Sequence, residues 1–149
     1  MQLKYKRSHP LNRRYYFAYG ANMAYSSMKS RCPLAEPVEK MTLRGWRLDF
    51  GHHATIVRDP DAVCDGALWK ITQHCEDSLD AFEGYPSYYD KLYLEQDGLP
   101  FMVYEMVDNC RQASPSRSYI DCLREGYDNW KLDHGLLDQA LESHQVWNY

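Results

Sequence analysis

The chain has 149 residues, of which 44% are hydrophobic and 26% charged, a composition typical of a single globular domain and not of a disordered chain. Its net charge is -4, yet residues 1–14 carry five basic side chains and no acidic one. We interpret residues 1–14 as a solvated, flexible basic leader and residues 15–149 as one domain. The rest of the chain carries 12 basic and 21 acidic side chains and would repel phosphate, which argues against nucleic acid as a partner.

Neither a membrane nor a secretory route is expected. No apolar run follows the basic start, and no stretch approaches the ~20 apolar residues of a membrane-spanning helix. The five cysteines are odd in number and lack CxxC spacing, which favours a reduced cytoplasmic protein. The sequence does not indicate an oligomeric state.

The first half of the chain is predicted to be rich in strands. Residues 15–19 are aromatic and end at Gly20, which is typical of a buried strand that enters a tight turn. Asn22 is expected to cap a helix over residues 24–31. Further strands are predicted over residues 43–50, 54–58 and 63–71, with Asp59-Pro60-Asp61 separating the last two.

The second half of the chain is predicted to contain most of the helices. Cys75, Leu79 and Phe82 recur at helical spacing and predict a helix over residues 73–83 that Gly84 ends. A hairpin is predicted from residues 89–94 and 101–107, and the pattern is helical from Ser116 onward. This order predicts an α+β fold with an antiparallel sheet, which could curl into a barrel.

Three segments could carry chemistry. In Tyr19-Gly20-Ala21-Asn22-Met23, a strand that turns into a helix exposes backbone N–H groups able to hold a carboxylate or carbonyl oxygen. Strand–turn–helix segments with a glycine are common, however, and this one could equally be structural.

Glu83 is predicted to lie in the last turn of its helix. There the dipole and burial among Phe82, Tyr85, Tyr88 and Tyr89 would raise the pKa of its carboxyl group and make it a useful base. A solvated glutamate beside a glycine is the alternative.

Pro115 and Ser116 suit a helix start, and Tyr119, about one turn later, could point its hydroxyl into a pocket. An ordinary helix cap is the alternative. Adjacent histidines, His52 and His53, would point to opposite faces of a strand and could not chelate one metal. The sequence also lacks nucleotide-binding and zinc-binding spacings, so we expect no cofactor.

Taken together, these segments resemble the γ-glutamylcyclotransferase-like family, including its γ-glutamylamine cyclotransferase-type members. The resemblance spans roughly residues 15 to 130. Its motifs are Tyr16-Phe17-Ala18-Tyr19-Gly20-Ala21-Asn22-Met23, Ala54-Thr55-Ile56-Val57, Asp65-Gly66-Ala67-Leu68-Trp69, Leu79-Asp80-Ala81-Phe82-Glu83-Gly84-Tyr85 and Pro115-Ser116-Arg117-Ser118-Tyr119.

The resemblance implies a small, mixed, largely antiparallel β-barrel flanked by helices, with one cavity where the glycine turn meets the glutamate. It implies an enzyme that needs no cofactor and releases 5-oxoproline from a small γ-glutamyl amide, with Glu83 as the acid/base residue. The implied substrate-binding residues are Tyr19, Gly20, Ala21, Asn22, Met23, Tyr89 and Tyr119.

Three departures from the family pattern leave the leaving group open. Ala21 replaces the family's usual serine and Met23 its usual leucine, and the loop over residues 51–54 is short. The amine released could therefore be an amino acid, a lysine or a polyamine. A non-catalytic binding domain that kept the pocket, and a basic arm that tethers the chain to a partner, are further alternatives.

Overall fold

The computed structural model describes residues 4–6, 14–108 and 113–144, the first of these by their backbone alone. Most of the expected leader and Cys110 lie outside the described residues. In chain order the elements are β1 (Lys4–Lys6), β2 (Tyr15–Ala18), a short 3-10 helix (Ala21–Met23), α1 (Tyr25–Arg31), β3 (Glu36–Phe50), β4 (Ala54–Lys70), α2 (Gln73–Glu83), β5 (Tyr89–Gln96), β6 (Leu99–Met106), α3 (Arg117–Asn129) and α4 (Gly135–Ser143).

The strands form one six-stranded sheet in the order β1-β5-β6-β2-β4-β3. All neighbours pair antiparallel except β2 and β6, which run parallel at Tyr16 and Met102. The predicted α+β fold with a mixed, largely antiparallel sheet is therefore confirmed. Within the described part of the chain, no helix is both long and apolar enough to cross a bilayer.

The expected barrel is an open sheet, because β1 and β3 are its two ends in the described residues. The sheet nevertheless curls far enough for β5 to reach β3 through a side chain. The amide of Gln96 donates to the Thr42 carbonyl at 2.9 Å and accepts from the Arg44 backbone N–H at 2.9 Å. One buried side chain thus bridges the two strands here.

The predicted break at residues 59–61 is wrong, because β4 runs without interruption from Ala54 to Lys70. What the segment interrupts is the pairing with β3. Arg44 pairs with Val63 while Trp46 pairs with Arg58, so the intervening residues of β4 bulge outward opposite Gly45. Proline lacks an N–H for a regular ladder, and the bulge accommodates it.

The helix that carries Glu83 begins and ends as predicted. The Thr72 side chain accepts from the Cys75 N–H at 3.1 Å, which caps the first turn of α2. Gly84 ends the helix in the left-handed conformation, with φ +67°, which glycine adopts without a steric penalty.

A buried ionic network fastens α2 to the sheet. The Lys91 ammonium of β5 lies 2.7 Å from Glu76 Oε2 and 2.8 Å from Asp80 Oδ2, and its side chain is only 8% exposed. Tyr93 donates to Glu76 at 2.7 Å and Tyr104 to Asp80 at 2.6 Å. Because Asp80 precedes Glu83 by about one helical turn, this network also fixes where Glu83 points.

We predict that Lys91→Met lowers the free energy of unfolding by about 3 kcal/mol at pH 7, because Glu76 and Asp80 lose the buried cation that they share, although Arg14 still lies 3.1 Å from Glu76. Urea denaturation measures the loss. Lys70→Met, the same change at an exposed strand end, is the control and should cost less than about 0.5 kcal/mol. Equal losses in the two variants would contradict the structural role of the network.

Candidate active site

A cavity of about 250 Å³ opens where the end of β2, the last residue of α2 and the start of α3 meet. Such a concavity, lined by aromatic rings and a few polar groups, is typical of a small-molecule site. Its lining residues are Tyr16, Tyr19, Gly20, Ala21, Asn22, Arg31, His53, Ala54, Phe82, Glu83, Tyr88, Tyr89, Tyr104, Tyr119 and Cys122. The cavity therefore brings together Glu83 and every predicted binding residue except Met23.

Met23 lies beneath the turn. Its N–H donates to the Gly20 carbonyl at 3.0 Å, and its own carbonyl accepts from the Trp130 indole at 2.7 Å. Both backbone groups of Met23 are thus engaged within the protein. Gly20 lets the turn lie close to Tyr119, because a Cβ at position 20 would be only 3.2 Å from the Tyr119 hydroxyl.

Asn22 does not cap α1, contrary to the prediction, because the helix begins at Tyr25 after Ala24 and has no side-chain cap. The Asn22 side chain is 3% exposed and turns into the cavity. Its Nδ2 donates to the Tyr16 hydroxyl at 3.0 Å and to Glu83 Oε1 at 3.4 Å. The short 3-10 helix separates Asn22 from α1 and frees its amide for this contact.

The Glu83 carboxyl group is largely removed from water at the carbonyl end of α2. Burial raises its pKa to about 7, against the opposing effects of the Arg31 charge and the Asn22 hydrogen bond. A carboxyl group that titrates near neutral pH can both accept and return a proton under physiological conditions. The geometry thus supplies one general acid/base inside the cavity.

Two tyrosines hold the opposite wall. The Tyr119 hydroxyl accepts from the Ala54 N–H at 2.9 Å, and the Tyr89 hydroxyl donates to the Ala54 carbonyl at 2.5 Å. The Ser116 side chain caps α3 by accepting from the Tyr119 N–H at 3.2 Å, as the sequence predicts for this helix start. Burial keeps the pKa of both hydroxyl groups raised, so they act as neutral hydrogen-bonding groups.

The residues that bury Glu83 differ in part from those expected. Phe82 is 52% and Tyr85 40% exposed, and Tyr85 does not line the cavity. Tyr16 and Tyr104 replace them, from β2 and β6. Sequence reasoning missed both, because only the parallel pairing of these two strands brings them beside the end of α2.

Arg31 and His53 were also missed. His53 lies in the turn between β3 and β4, where its Nδ1 is 2.9 Å from the Tyr88 hydroxyl and burial lowers its pKa. Arg31 is the last residue of α1. A basic residue in the last turn of a helix is common, and only the spatial approach of α1 to Phe82 distinguishes this one.

Solved structures share this fold. A structure described as gamma-glutamyl cyclotransferase superposes with a TM-score of 0.77 at 24% identity, covering 89% of this chain and 88% of its own. An uncharacterized protein from Homo sapiens has a TM-score of 0.74 at 26% identity, covering 87% and 86%. A yeast gamma-glutamyl cyclotransferase described as specific to glutathione has a TM-score of 0.51 at 14% identity, covering 93% and 100%.

No curated protein sequence matches the chain. The family model described as "Gamma-glutamyl cyclotransferase, AIG2-like" matches residues 16–125, which is well over half of the chain. The match includes both the turn after Tyr19 and the glutamate at the end of α2. The chain belongs to the gamma-glutamyl cyclotransferase, AIG2-like family.

Proposed function

We propose that this protein cleaves a γ-glutamyl amide and releases 5-oxoproline together with an amine or amino acid. The observation that carries the proposal is that the partly buried Glu83 lines the same cavity as the turn over Gly20, Ala21 and Asn22. Family membership supports the same reaction class. The cavity volume suits a small molecule.

The reaction is an intramolecular acyl transfer. The substrate's α-nitrogen forms a bond to its own γ-carbonyl carbon, a five-membered lactam closes, and the bond to the departing nitrogen breaks. The α-ammonium nitrogen loses two protons on its way to the lactam N–H, one before it attacks and one from the tetrahedral intermediate. The departing nitrogen gains one proton as its bond breaks and a second from water once the amine is released. A single carboxyl group can therefore carry a proton from the first nitrogen to the second. Folding the substrate chain in a cavity exploits the high effective molarity of such ring closures.

Glu83 is the group that we assign to this transfer. With a pKa of about 7, its carboxyl group is divided between acid and base near neutral pH, which suits both proton transfers. The backbone amides at Ala21 and Asn22 are the proposed donors to the substrate's α-carboxylate or to the developing oxyanion. Tyr119 adds a hydroxyl whose lone pair is engaged by the Ala54 N–H, which leaves its proton for the substrate.

The leaving group is to be identified by turnover. The yeast relative described as specific to glutathione shares only the fold at 14% identity and does not define the substrate of this chain. A panel of γ-glutamyl-alanine, γ-glutamyl-ε-lysine and γ-glutamyl-putrescine, with release of 5-oxoproline as the readout, separates amino-acid from amine leaving groups. Binding detected by thermal shift without release of 5-oxoproline would favour the non-catalytic alternative.

We predict that Glu83→Gln lowers kcat at least ~100-fold on the best substrate of the panel while KM changes little, because the glutamine keeps the shape but cannot carry a proton. Steady-state release of 5-oxoproline measures both constants. Asp77→Asn, the same chemical change at an exposed position of α2, is the matched control and should leave both constants within about twofold. Activity of Glu83→Gln within threefold of wild type would refute the assignment.

The titration of Glu83 should make the stability of the protein depend on pH. Because burial raises the pKa of Glu83 from 4.5 to about 7, the folded state binds a proton more tightly than the unfolded state between these values. Wild-type stability relative to Glu83→Gln should therefore fall as pH rises from 4.5 to 7 and stay constant above. We expect the free energy of unfolding of wild type to fall by about 3 kcal/mol relative to that of Glu83→Gln over this pH range in urea denaturation. A difference independent of pH would show that Glu83 titrates normally.

The same titration should appear in the kinetics. The value of kcat/KM should rise with pH and level off above about 7, where the free enzyme holds Glu83 as a carboxylate. A profile that is flat from pH 5 to 8 would contradict the assigned role even if the stability titration were observed.

A further inference from the structure

Arg31 is placed unusually for a charged residue at a helix end. Its guanidinium carbon lies 3.6 Å above the centroid of the Phe82 ring, within the range of a cation–π contact. Phe82 belongs to α2 and is 52% exposed, so its ring covers Arg31 and is not itself part of the core. The contact brings the end of α1 against the end of α2, beside Glu83.

An edge of the guanidinium is hydrogen-bonded to Asn22. Its Nη1 donates to Asn22 Oδ1 at 2.7 Å, while Asn22 Nδ2 faces the Tyr16 hydroxyl and Glu83 Oε1. A side-chain amide has an acceptor end and a donor end, and a guanidinium has donors only. Arg31 therefore determines which end of the Asn22 amide faces Glu83.

The other groups that face the Glu83 carboxyl group are uncharged at neutral pH. Five of them are tyrosines on or next to β2, β5, β6 and α3, and burial raises the pKa of each hydroxyl group. The sixth is His53 in the β3–β4 turn, and burial lowers the pKa of its imidazole. On α2 itself, Asp80 lies one turn before Glu83 and is paired with Lys91 at 2.8 Å. Arg31 thus supplies the positive charge at neutral pH among the described residues that line the cavity. Besides Glu83 and Arg31, the titratable side chains that line the cavity are Tyr16, Tyr19, His53, Tyr88, Tyr89, Tyr104, Tyr119 and Cys122.

We propose that Arg31, clamped on Phe82, is a positioning residue that holds the Asn22 amide with its N–H towards Glu83 and so favours the ionised, proton-accepting form of that carboxyl group. The value of this arrangement for catalysis rests on the function proposed above. Without Arg31 the Asn22 amide is free to rotate and present its oxygen to Glu83, where it would accept a hydrogen bond from the protonated carboxylic acid. Both the lost charge and the rotated amide favour the neutral form.

The direct test is a titration of the Glu83 side-chain carboxyl carbon by 13C NMR, with the signal assigned from its loss in Glu83→Gln. In Arg31→Met the pKa of Glu83 should rise by about one unit above the wild-type value. Lys29→Met removes the same charge from an exposed position of α1 and should leave the titration unchanged. An unchanged pKa in Arg31→Met, or an equal rise in Lys29→Met, would overturn the proposal.

The role of the amide is separated from that of the charge by a double-mutant comparison. In an Asn22→Ala background, Arg31→Met should raise the pKa of Glu83 by less than it does with Asn22 present, because the direct effect of the charge remains but the oriented donor is already missing. A rise of the same size in both backgrounds would overturn the positioning role. If Arg31→Met does not fold, Arg31→Ala, which favours the helix and leaves the Phe82 ring in place, replaces it and should shift the titration in the same direction, whereas no shift would overturn the proposal.

The kinetic readout distinguishes failure of this inference from failure of the proposed function. With an active substrate, the acidic limb of kcat/KM in Arg31→Met should move to higher pH together with the NMR titration, and kcat should recover to within threefold of wild type near pH 9. The titration itself requires no substrate. A shifted titration without any turnover would contradict the proposed function alone, while turnover with an unshifted titration and limb would contradict the role of Arg31 alone.

Discussion

The carboxyl group of Glu83 is buried at the carbonyl end of α2, where desolvation and the helix dipole both disfavour its charge. Left uncompensated, such a group would remain protonated and could not accept a proton. The Asn22 amide and the nearby Arg31 charge offset part of this penalty. The balance leaves a carboxyl group that titrates near neutrality, and the proposed chemistry depends on this balance.

The rest of the fold holds that group in place. The buried Lys91 ties α2 to β5, so the helix cannot rotate without separating Lys91 from Asp80 and Glu76. On the other side, the parallel pairing of β2 with β6 delivers the glycine turn to the end of α2. The Tyr89 hydroxyl donates to the Ala54 carbonyl and the Tyr119 hydroxyl accepts from the Ala54 N–H, and these two hydrogen bonds fix that wall of the cavity. The end of α2, the turn after β2 and the wall at Ala54 therefore meet at one cavity. Among the contacts described, none is a metal ligand or a covalent link.

Local pattern was sufficient for much of this fold. The helix over residues 73–83 was predicted to the residue, because its apolar spacing, its glycine stop and its length agree with one another. The hairpin of β5 and β6 turns at Asp97 and Gly98, both with positive φ, within the expected segment. The 59–61 segment misled because Asp-Pro-Asp is a strong local turn signal, whereas the pairing on both sides of it keeps β4 continuous through a bulge.

The site could be predicted only where a motif carried it. Glu83 and the turn after Tyr19 were candidates from their local sequence, and the family resemblance favoured their functional reading over the structural alternatives. Asn22 was assigned to a helix cap, its commonest local role, because nothing in the sequence indicates that a 3-10 turn intervenes before α1. Arg31, Tyr16, Tyr104 and His53 enter the cavity through contacts between distant segments, and such contacts leave no local signature.

The central claim is that Glu83 handles the proton of a γ-glutamyl nitrogen inside this cavity. The most direct measurement is a crystal structure of Glu83→Gln with a bound γ-glutamyl amide, which the variant should hold without cleaving it. We expect the substrate's α-nitrogen to lie within about 3.2 Å of the side chain at position 83 and a substrate oxygen to accept from the amides after Gly20. A substrate bound elsewhere, or with its α-nitrogen turned away from position 83, would contradict it.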